Sequence, residues 1–147
     1  MQGPPSTRMK LQLRFPASAS NAAAHAALAV QAVQQEFDAE LDYSPGSLET
    51  LDGHIEALRE EGWSAEDAAE LLFVVGCYVG EVFVRHLRGV WSQTAQSPLA
   101  RVSPWPMIVL LPDGSAWDTI GKTYLRFEIG DSEYLPAYFA SAAAGRP

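Results

Sequence analysis

The segment from Leu71 to Phe83 is apolar almost without interruption, and it constrains the fold more than any other part of the sequence. Ser64, followed three residues later by Asp67, is typical of a helix N-cap, and Gly89 is typical of a helix end. A helix that is apolar nearly all round must be covered on several sides. The sequence therefore predicts a central helix, ending near Leu87, around which the other elements pack.

Two glycines, Gly76 and Gly80, lie one turn apart inside this helix. A glycine in a helix interior costs about 1 kcal/mol relative to alanine. Their presence predicts that a neighbouring backbone approaches the helix closely at this point.

Two amphipathic helices are predicted before the central one. The first runs from about Ala19 to Glu40, because apolar side chains recur at steps of three and four residues. Its apolar face is formed by Ala26, Val30, Val33, Phe37 and Leu41. The second begins at Ser44 and Pro45, which suit the N-cap and the first helical position. Its buried stripe is predicted to be Leu48, Leu51, Ile55 and Leu58.

The beginning of the chain is predicted to hold a tail and a strand. Residues 1–8 include Gly3, Pro4 and Pro5, which indicate a flexible tail, and Met9–Phe15 alternates apolar and polar residues with the period of a strand. The chain has 147 residues with 48% hydrophobic content, and it contains no evident linker. Residues 9–147 are therefore expected to form a single domain.

The character of the chain changes after Gly89. The segments Val90–Ala95 and Met107–Leu111 are predicted strands, and the turn residues Pro112–Ser115 connect the second of them to a short strand near Trp117. A small antiparallel sheet is the expected result.

The segment 119–129 fits the pattern of a helix and also that of a strand. A helix is favoured because Asp118 or Thr119 can cap its start and Gly130 its end. Ser132 is predicted to cap a last short helix, which carries Leu135, Tyr138 and Phe139. The fold class is thus α+β: three N-terminal helices, preceded by a possible strand, pack on a small antiparallel sheet with one or two short C-terminal helices.

Charge and cysteine usage limit the possible partners and compartments. The formal net charge is −8, which disfavours nucleic acid and anionic membrane surfaces. The apolar run Leu71–Gly80 is shorter than the ~20 residues that span a bilayer. The single cysteine, Cys77, cannot form an internal disulfide, and no secretory leader is evident. We therefore expect a cytoplasmic protein; its oligomeric state is left open.

Three stretches of the sequence resemble a family of small uncharacterised bacterial proteins. They are Leu-Asp-Tyr-Ser at Leu41–Ser44, Gly-Cys-Tyr-Val-Gly-Glu-Val at Gly76–Val82 with Arg85, Gly89 and Trp91 after it, and Ile-Gly-Lys-Thr-Tyr-Leu-Arg-Phe-Glu-Ile-Gly at Ile120–Gly130. The resemblance covers about Leu41 to Phe139. It implies that the third stretch is helical, and it implies no reaction, cofactor or catalytic residue.

Histidine and cysteine spacing gives no support to a metal site. His25, His54 and His86 lie far apart, and Cys77 has no second cysteine. The sequence also contains neither Gly-x-Ser-x-Gly nor a glycine-rich phosphate loop. No cofactor, metal or catalytic residue is predicted, and Cys77 is expected to be a core residue with an unreactive thiol.

Glu81 is the most informative single residue, because a carboxylate within an apolar helix must be paired, neutralised or placed at a cleft. Arg85 is its partner one turn on. If segment 119–129 is helical, Lys122 and Arg126 also lie one turn apart and could converge on the same place. This cluster is interpreted as a partly buried ion-pair network; the alternatives are a pocket for an anionic ligand and an acid/base pair of Glu81 with His86.

The excess of acidic residues lies in one block. Between Glu36 and Glu70 there are twelve acidic residues and one basic residue, Arg59, a local net charge of −11. On the second helix the carboxylates Glu49, Asp52, Glu56 and Glu60 are predicted to form an exposed face opposite the leucine stripe. This face is interpreted as a solvated helix back or, alternatively, as a docking surface for a basic protein partner.

Three functions are compatible with these features. The leading one is a non-catalytic binding or regulatory domain, similar in kind to an immunity protein, which docks a basic partner through its acidic face. The alternatives are a sensor of a small anionic ligand and a hydrolase centred on Glu81. The sequence leans away from an enzyme, since it shows no nucleophile, metal or phosphate motif.

Overall fold

Residues 13–145 are described by a computed structural model, and they form five α-helices and a three-stranded antiparallel sheet. The helices are α1 (Ala22–Phe37), α2 (Ser47–Glu60), α3 (Ala65–Leu87), α4 (Thr119–Ile129) and α5 (Leu135–Ala144). The strands are β1 (Val90–Gln93), β2 (Met107–Leu110) and β3 (Ala116–Trp117). The predicted α+β class is confirmed.

The sheet is ordered β1-β2-β3, with β2 in the centre. Val90 pairs with Leu110 and Gln93 with Met107, so β1 and β2 close the loop 94–106 between them. Val109 pairs with Trp117 across the short β3. The three strands predicted after Gly89 are all present.

Helix α3 is the central element. It is buried continuously from Leu72 to Phe83, with α1 and α4 packed against it and β1 and β2 also in contact. The Ser64 hydroxyl accepts a hydrogen bond from the Asp67 amide, and Arg88 ends the helix in the left-handed conformation with φ 60°. The predicted central helix and its N-cap are confirmed.

The two glycines of α3 lie where this helix packs against α4 and β1. A Cβ on Gly76 would lie 2.5 Å from the Ile120 Cα, and one on Gly80 would overlap the Trp91 ring. Between α4 and α3, the Thr119 hydroxyl donates to the Gly76 carbonyl and the Thr123 hydroxyl donates to the Leu72 carbonyl, both at 2.9 Å. The predicted close approach is therefore made by α4 at Gly76 and by an indole ring at Gly80.

The starts of two helices differ from the predictions. Helix α2 begins at Ser47 and not at Pro45, because Tyr43 (φ 64°) reverses the chain and residues 44–47 first form a turn. The Ser44 hydroxyl still accepts the Ser47 amide at 3.1 Å. Helix α5 begins at Leu135 with Pro136 in its first turn, whereas Ser132 lies in a preceding 3-10 turn and does not cap it.

The N-terminal helix is shorter than predicted, since a 3-10 turn occupies Ala19–Asn21 and Asp38 ends α1 with φ 54°. The predicted strand Met9–Phe15 falls partly outside the described residues. Its described part, residues 13–15, forms no strand, although Leu13 packs against the core. The predicted tail, residues 1–8, lies outside the described residues altogether.

One continuous core joins all five helices to β2. The leucine stripe of α2 faces it, and on the far side Phe83 of α3 packs against Tyr138 and Phe139 of α5. Within residues 13–145, none of the helices has the length and apolar character needed to cross a membrane.

Candidate functional site

Glu81 lies on the buried side of α3, with 7% of its surface exposed. One carboxylate oxygen, Oε2, accepts a hydrogen bond from the Trp91 indole nitrogen at 2.9 Å, and the other, Oε1, lies 3.6 Å from the Arg85 Nε. The predicted burial of Glu81 and its pairing with Arg85 are confirmed. The contact with Trp91 was not predicted, because it joins a helix to a strand.

Arg85 connects this carboxylate to the loop before α2. Its guanidinium lies 3.6 Å from the centre of the Tyr43 ring, and that ring stacks on Tyr78 at 4.7 Å. The Tyr78 hydroxyl accepts the Tyr43 amide at 2.7 Å. These five residues, Tyr43, Tyr78, Glu81, Arg85 and Trp91, are called the Glu81 cluster below. Two of the three stretches that carry the family resemblance thus meet in one place.

The residues of the proposed acid/base pair, Glu81 and His86, do not contact each other through a hydrogen bond or ion pair among those of residues 13–145. Both Glu81 oxygens are engaged, and the His86 Nε2 lies 2.9 Å from the Tyr43 carbonyl, so the two residues of the proposed acid/base pair have different partners. Burial, with the nearby Glu81 charge, raises the pKa of the Cys77 thiol far above its usual value. That thiol stays protonated and is a poor nucleophile.

Lys122 and Arg126 do not join Glu81, which corrects the predicted four-residue cluster. The Arg126 guanidinium donates to Asp52 at 2.9 and 3.1 Å and to Glu56 at 2.9 Å, while Lys122 pairs with Glu133 at 2.6 Å. The reason is the orientation of α4. Its threonine face packs on α3, which directs Arg126 toward α2 and Lys122 toward the turn before α5.

The acidic face predicted on α2 is wrong at two of its four positions. Asp52 is buried between Arg126 and the Leu135 amide, which donates to it at 2.9 Å. Glu56 is shared between Arg126 and Arg59, and the hydrogen bond from Arg126 is the main cause that lowers its pKa.

Glu49 and Glu60 are exposed as predicted. Helix α2 buries its leucine stripe in the core and also contacts α4 and α5. It therefore does not divide into one buried face and one solvated face.

A cleft of ≈ 630 Å³ opens beside α4. Its aromatic walls are Trp105, Tyr124 and Tyr138, with the Trp105 and Tyr124 ring centres 4.9 Å apart. Val102 and Leu125, 72% and 42% exposed, form part of its apolar lining. This space is called the aromatic cleft below.

Three charged side chains line the aromatic cleft. They are Asp118, Lys122 and Glu133. The Lys122 Nζ lies 4.9 Å from the centre of the Tyr138 ring, and an Asp118 oxygen accepts the Gly121 amide at 2.8 Å as the N-cap of α4. Burial raises the pKa of both Tyr124 and Tyr138, so both hydroxyls are neutral at physiological pH.

Of the cleft residues, only Lys122 was a predicted site residue. The cleft is assembled from three separate segments, residues 102–105, 118–125 and 133–138, and no spacing within any one segment indicates that the three meet. The one available signal was Trp105 between Pro104 and Pro106, a large apolar side chain in a segment that has neither helix nor strand periodicity.

A second cleft of ≈ 650 Å³ is also lined by Trp105. Small side chains line it, among them Ala17, Ser20 and Ser103. Thr94 also lines it, and the Thr94 hydroxyl is buried without a hydrogen-bond partner among the described residues. Because this lining contains no charged group, the cleft offers fewer means of recognition than the aromatic one.

Within the described part of the chain, no group of three or more His, Cys, Asp or Glu side chains is placed to hold a metal ion. Comparison of the chain with protein-family models, with curated proteins and with solved structures found no match.

Proposed function

We propose that this protein is a non-catalytic binding domain and that the aromatic cleft is its binding site. The observation that carries the proposal is the cleft itself: three aromatic rings and three charged groups converge on a space of ≈ 630 Å³. Small-molecule sites are typically concave, about 300 to 1,000 Å³ in volume, mostly apolar and furnished with a few placed polar groups. The aromatic cleft has each of these properties.

The alternative of a hydrolase centred on Glu81 has little support. A catalytic carboxylate needs an open path to substrate, whereas both oxygens of Glu81 are held by Trp91 and Arg85 beneath the surface. A pocket for an anionic ligand around Glu81, Arg85, Lys122 and Arg126 is also disfavoured, because Lys122 and Arg126 pair with other carboxylates.

The proposal is tested by binding of the neutral dye Nile red, followed by its fluorescence. Leu125→Ser removes apolar lining from the cleft, and we expect it to weaken binding about tenfold. The matched control is Ile129→Ser, which changes an exposed apolar residue (54%) of the same helix outside the cleft. Equal affinity of the two variants for the dye would contradict the proposal that the aromatic cleft is the binding site.

A second candidate function is the docking of a basic protein partner, as predicted from the sequence. The carboxylates Glu36, Asp38, Glu40, Asp42, Glu49, Glu60, Glu61 and Glu66 are all exposed. These carboxylates form a revised acidic surface that excludes Asp52 and Glu56. Such a surface favours a docking role like that of an immunity protein. The affinity of such a partner should fall steeply with salt, and an affinity independent of salt would exclude this role.

A cytoplasmic location and membership of the bacterial family named above are part of the proposal. The single cysteine, which cannot form an internal disulfide, supports the first. The meeting of Tyr43 with Glu81 and Arg85 supports the second, because it gives the shared residues a common structural role. The net charge of −8 argues against nucleic acid as a partner.

A further inference from the structure

The charges that line the aromatic cleft do not cancel. Lys122 is balanced by Glu133, whose carboxylate lies 2.6 Å from the lysine Nζ. Asp118 has no basic side chain within ion-pair distance among residues 13–145, and its contact with the Gly121 amide leaves its charge in place. The lining therefore carries a net charge of −1, located at the Asp118 side.

The aromatic walls add to this preference. The face of an aromatic ring carries partial negative charge and attracts cations. Tyr138 already shows this property, since the Lys122 ammonium lies 4.9 Å from its centre. An anionic ligand would meet the unbalanced charge of Asp118 and a lysine whose charge is already paired with Glu133.

We propose that the aromatic cleft binds a small organic cation, in which an amine is carried on a flat apolar body. This inference rests on the proposed function and names the ligand class of the same site. The amine lies against Asp118 and the apolar body lies against Trp105 and Tyr124. The charge is opposite to that of the anionic ligand in the alternative drawn from the sequence, because the pairing of Lys122 with Glu133 is visible only in the structure.

Three probes of nearly equal size and different charge test this inference: 2-phenylethylamine, 2-phenylethanol and 3-phenylpropionate. Their dissociation constants are measured by calorimetry on the full chain. We expect the amine to bind about five- to tenfold more tightly than the alcohol, and the carboxylate to bind most weakly.

Asp118→Asn isolates the charge, because asparagine keeps an oxygen that can accept the Gly121 amide. The amine should lose its advantage over the alcohol, while the affinity for the alcohol stays within about twofold. Glu133→Gln frees Lys122, so the carboxylate probe should gain affinity. Thermal melting close to that of the wild type checks that both variants are folded.

The outcomes separate the ligand class from the binding site. If all three probes bind equally and Leu125→Ser weakens them equally, the cleft is a binding site but the inferred ligand class is wrong. If the amine binds Asp118→Asn as tightly as wild type, Asp118 does not select the cation and the inference is overturned. If neither the probes nor Nile red distinguish Leu125→Ser from Ile129→Ser, the proposed function fails as well.

Discussion

The two sides of α4 differ in what they contact. On one side Ile120, Thr123 and Phe127 are buried, and Thr123 donates to a backbone carbonyl of α3. On the other side Lys122 and Leu125 line the aromatic cleft and remain partly open to solvent. The first side leaves no room for a ligand, whereas the second leaves ≈ 630 Å³.

If the proposed function is correct, one short helix serves both stability and binding. The buried side is fixed by contacts that cannot change without moving α3. Leu125, on the open side, is 42% exposed and can change at little cost to the fold. Substitutions should therefore separate cleanly, with those on the buried side lowering the free energy of unfolding and those on the open side altering ligand affinity.

The largest effect on stability is expected for Arg126→Met. It removes the guanidinium that pairs with the buried Asp52, and breaking a buried ion pair from one side costs about 3–5 kcal/mol. Lys122→Met, four residues earlier on the open side, is the control and should cost less, because Lys122 and Glu133 are 15% and 25% exposed whereas Arg126 and Asp52 are 2% and 7% exposed. Urea unfolding measures both. Similar losses for the two variants would remove the contrast between the sides of α4.

A smaller loss, up to about 3 kcal/mol, is expected for Gly76→Ala, because its Cβ would press on the Ile120 backbone. Gly53→Ala is the matched control. Gly53 lies inside α2 with nothing within 4 Å of the added Cβ, so alanine should stabilise the protein by about 0.5–1 kcal/mol. The two variants should therefore shift the melting temperature in opposite directions. Shifts in the same direction would argue against close packing of Gly76 on Ile120.

Glu81→Ala should cost ~2 kcal/mol, since it leaves the Trp91 indole nitrogen without its acceptor. Glu81→Gln keeps an acceptor and should cost less. The order of the two variants, measured by denaturant unfolding with tryptophan fluorescence, tests whether the hydrogen bond or the charge is the important contribution. If Gln costs as much as Ala, the pairing with Arg85 stabilises the fold more than the hydrogen bond from Trp91 does.

The smallest effect concerns pH. Arg126 holds the pKa of Glu56 below its ordinary value of 4.5, so the folded state binds fewer protons there than the unfolded state. This contribution to stability is present above about pH 4.5 and is lost as the pH falls through the lowered pKa.

The difference in stability between wild type and Glu56→Gln should thus be greatest near pH 7 and shrink in acid, as followed by melting across pH. Glu49→Gln, on an exposed residue of the same helix, is the control. A difference that grew in acid would contradict the assigned pairing of Glu56 with Arg126.

Local signals in the sequence were sufficient for most of the fold. The Ser64 cap, the leucine stripe and the Asp118 and Gly130 ends of α4 each depend on residues within a few positions, and the structure contains all of them. The turn before α2 was missed, because the left-handed Tyr43 is fixed by contacts with Tyr78 from a distant helix.

The candidate site was far less accessible to sequence reasoning. Glu81 could be identified, since a lone carboxylate in an apolar helix needs a partner, and Arg85 is local. The partners of Lys122 and Arg126 depend on which side of α4 faces α3, which periodicity alone does not specify. The burial of Asp52 follows from the same orientation.

The loop between β1 and β2 has consequences for how this protein can diversify. Residues 94–106 lie between the paired positions Gln93 and Met107, so an insertion among them leaves the pairing of β1 with β2 in place. Doubling the length of a flexible loop costs only about 0.6 kcal/mol. Because Val102 and Trp105 belong to this loop, insertions and deletions there would redraw the walls of both clefts. If the aromatic cleft is the binding site, such changes would alter its ligand preference while the helical frame stays the same.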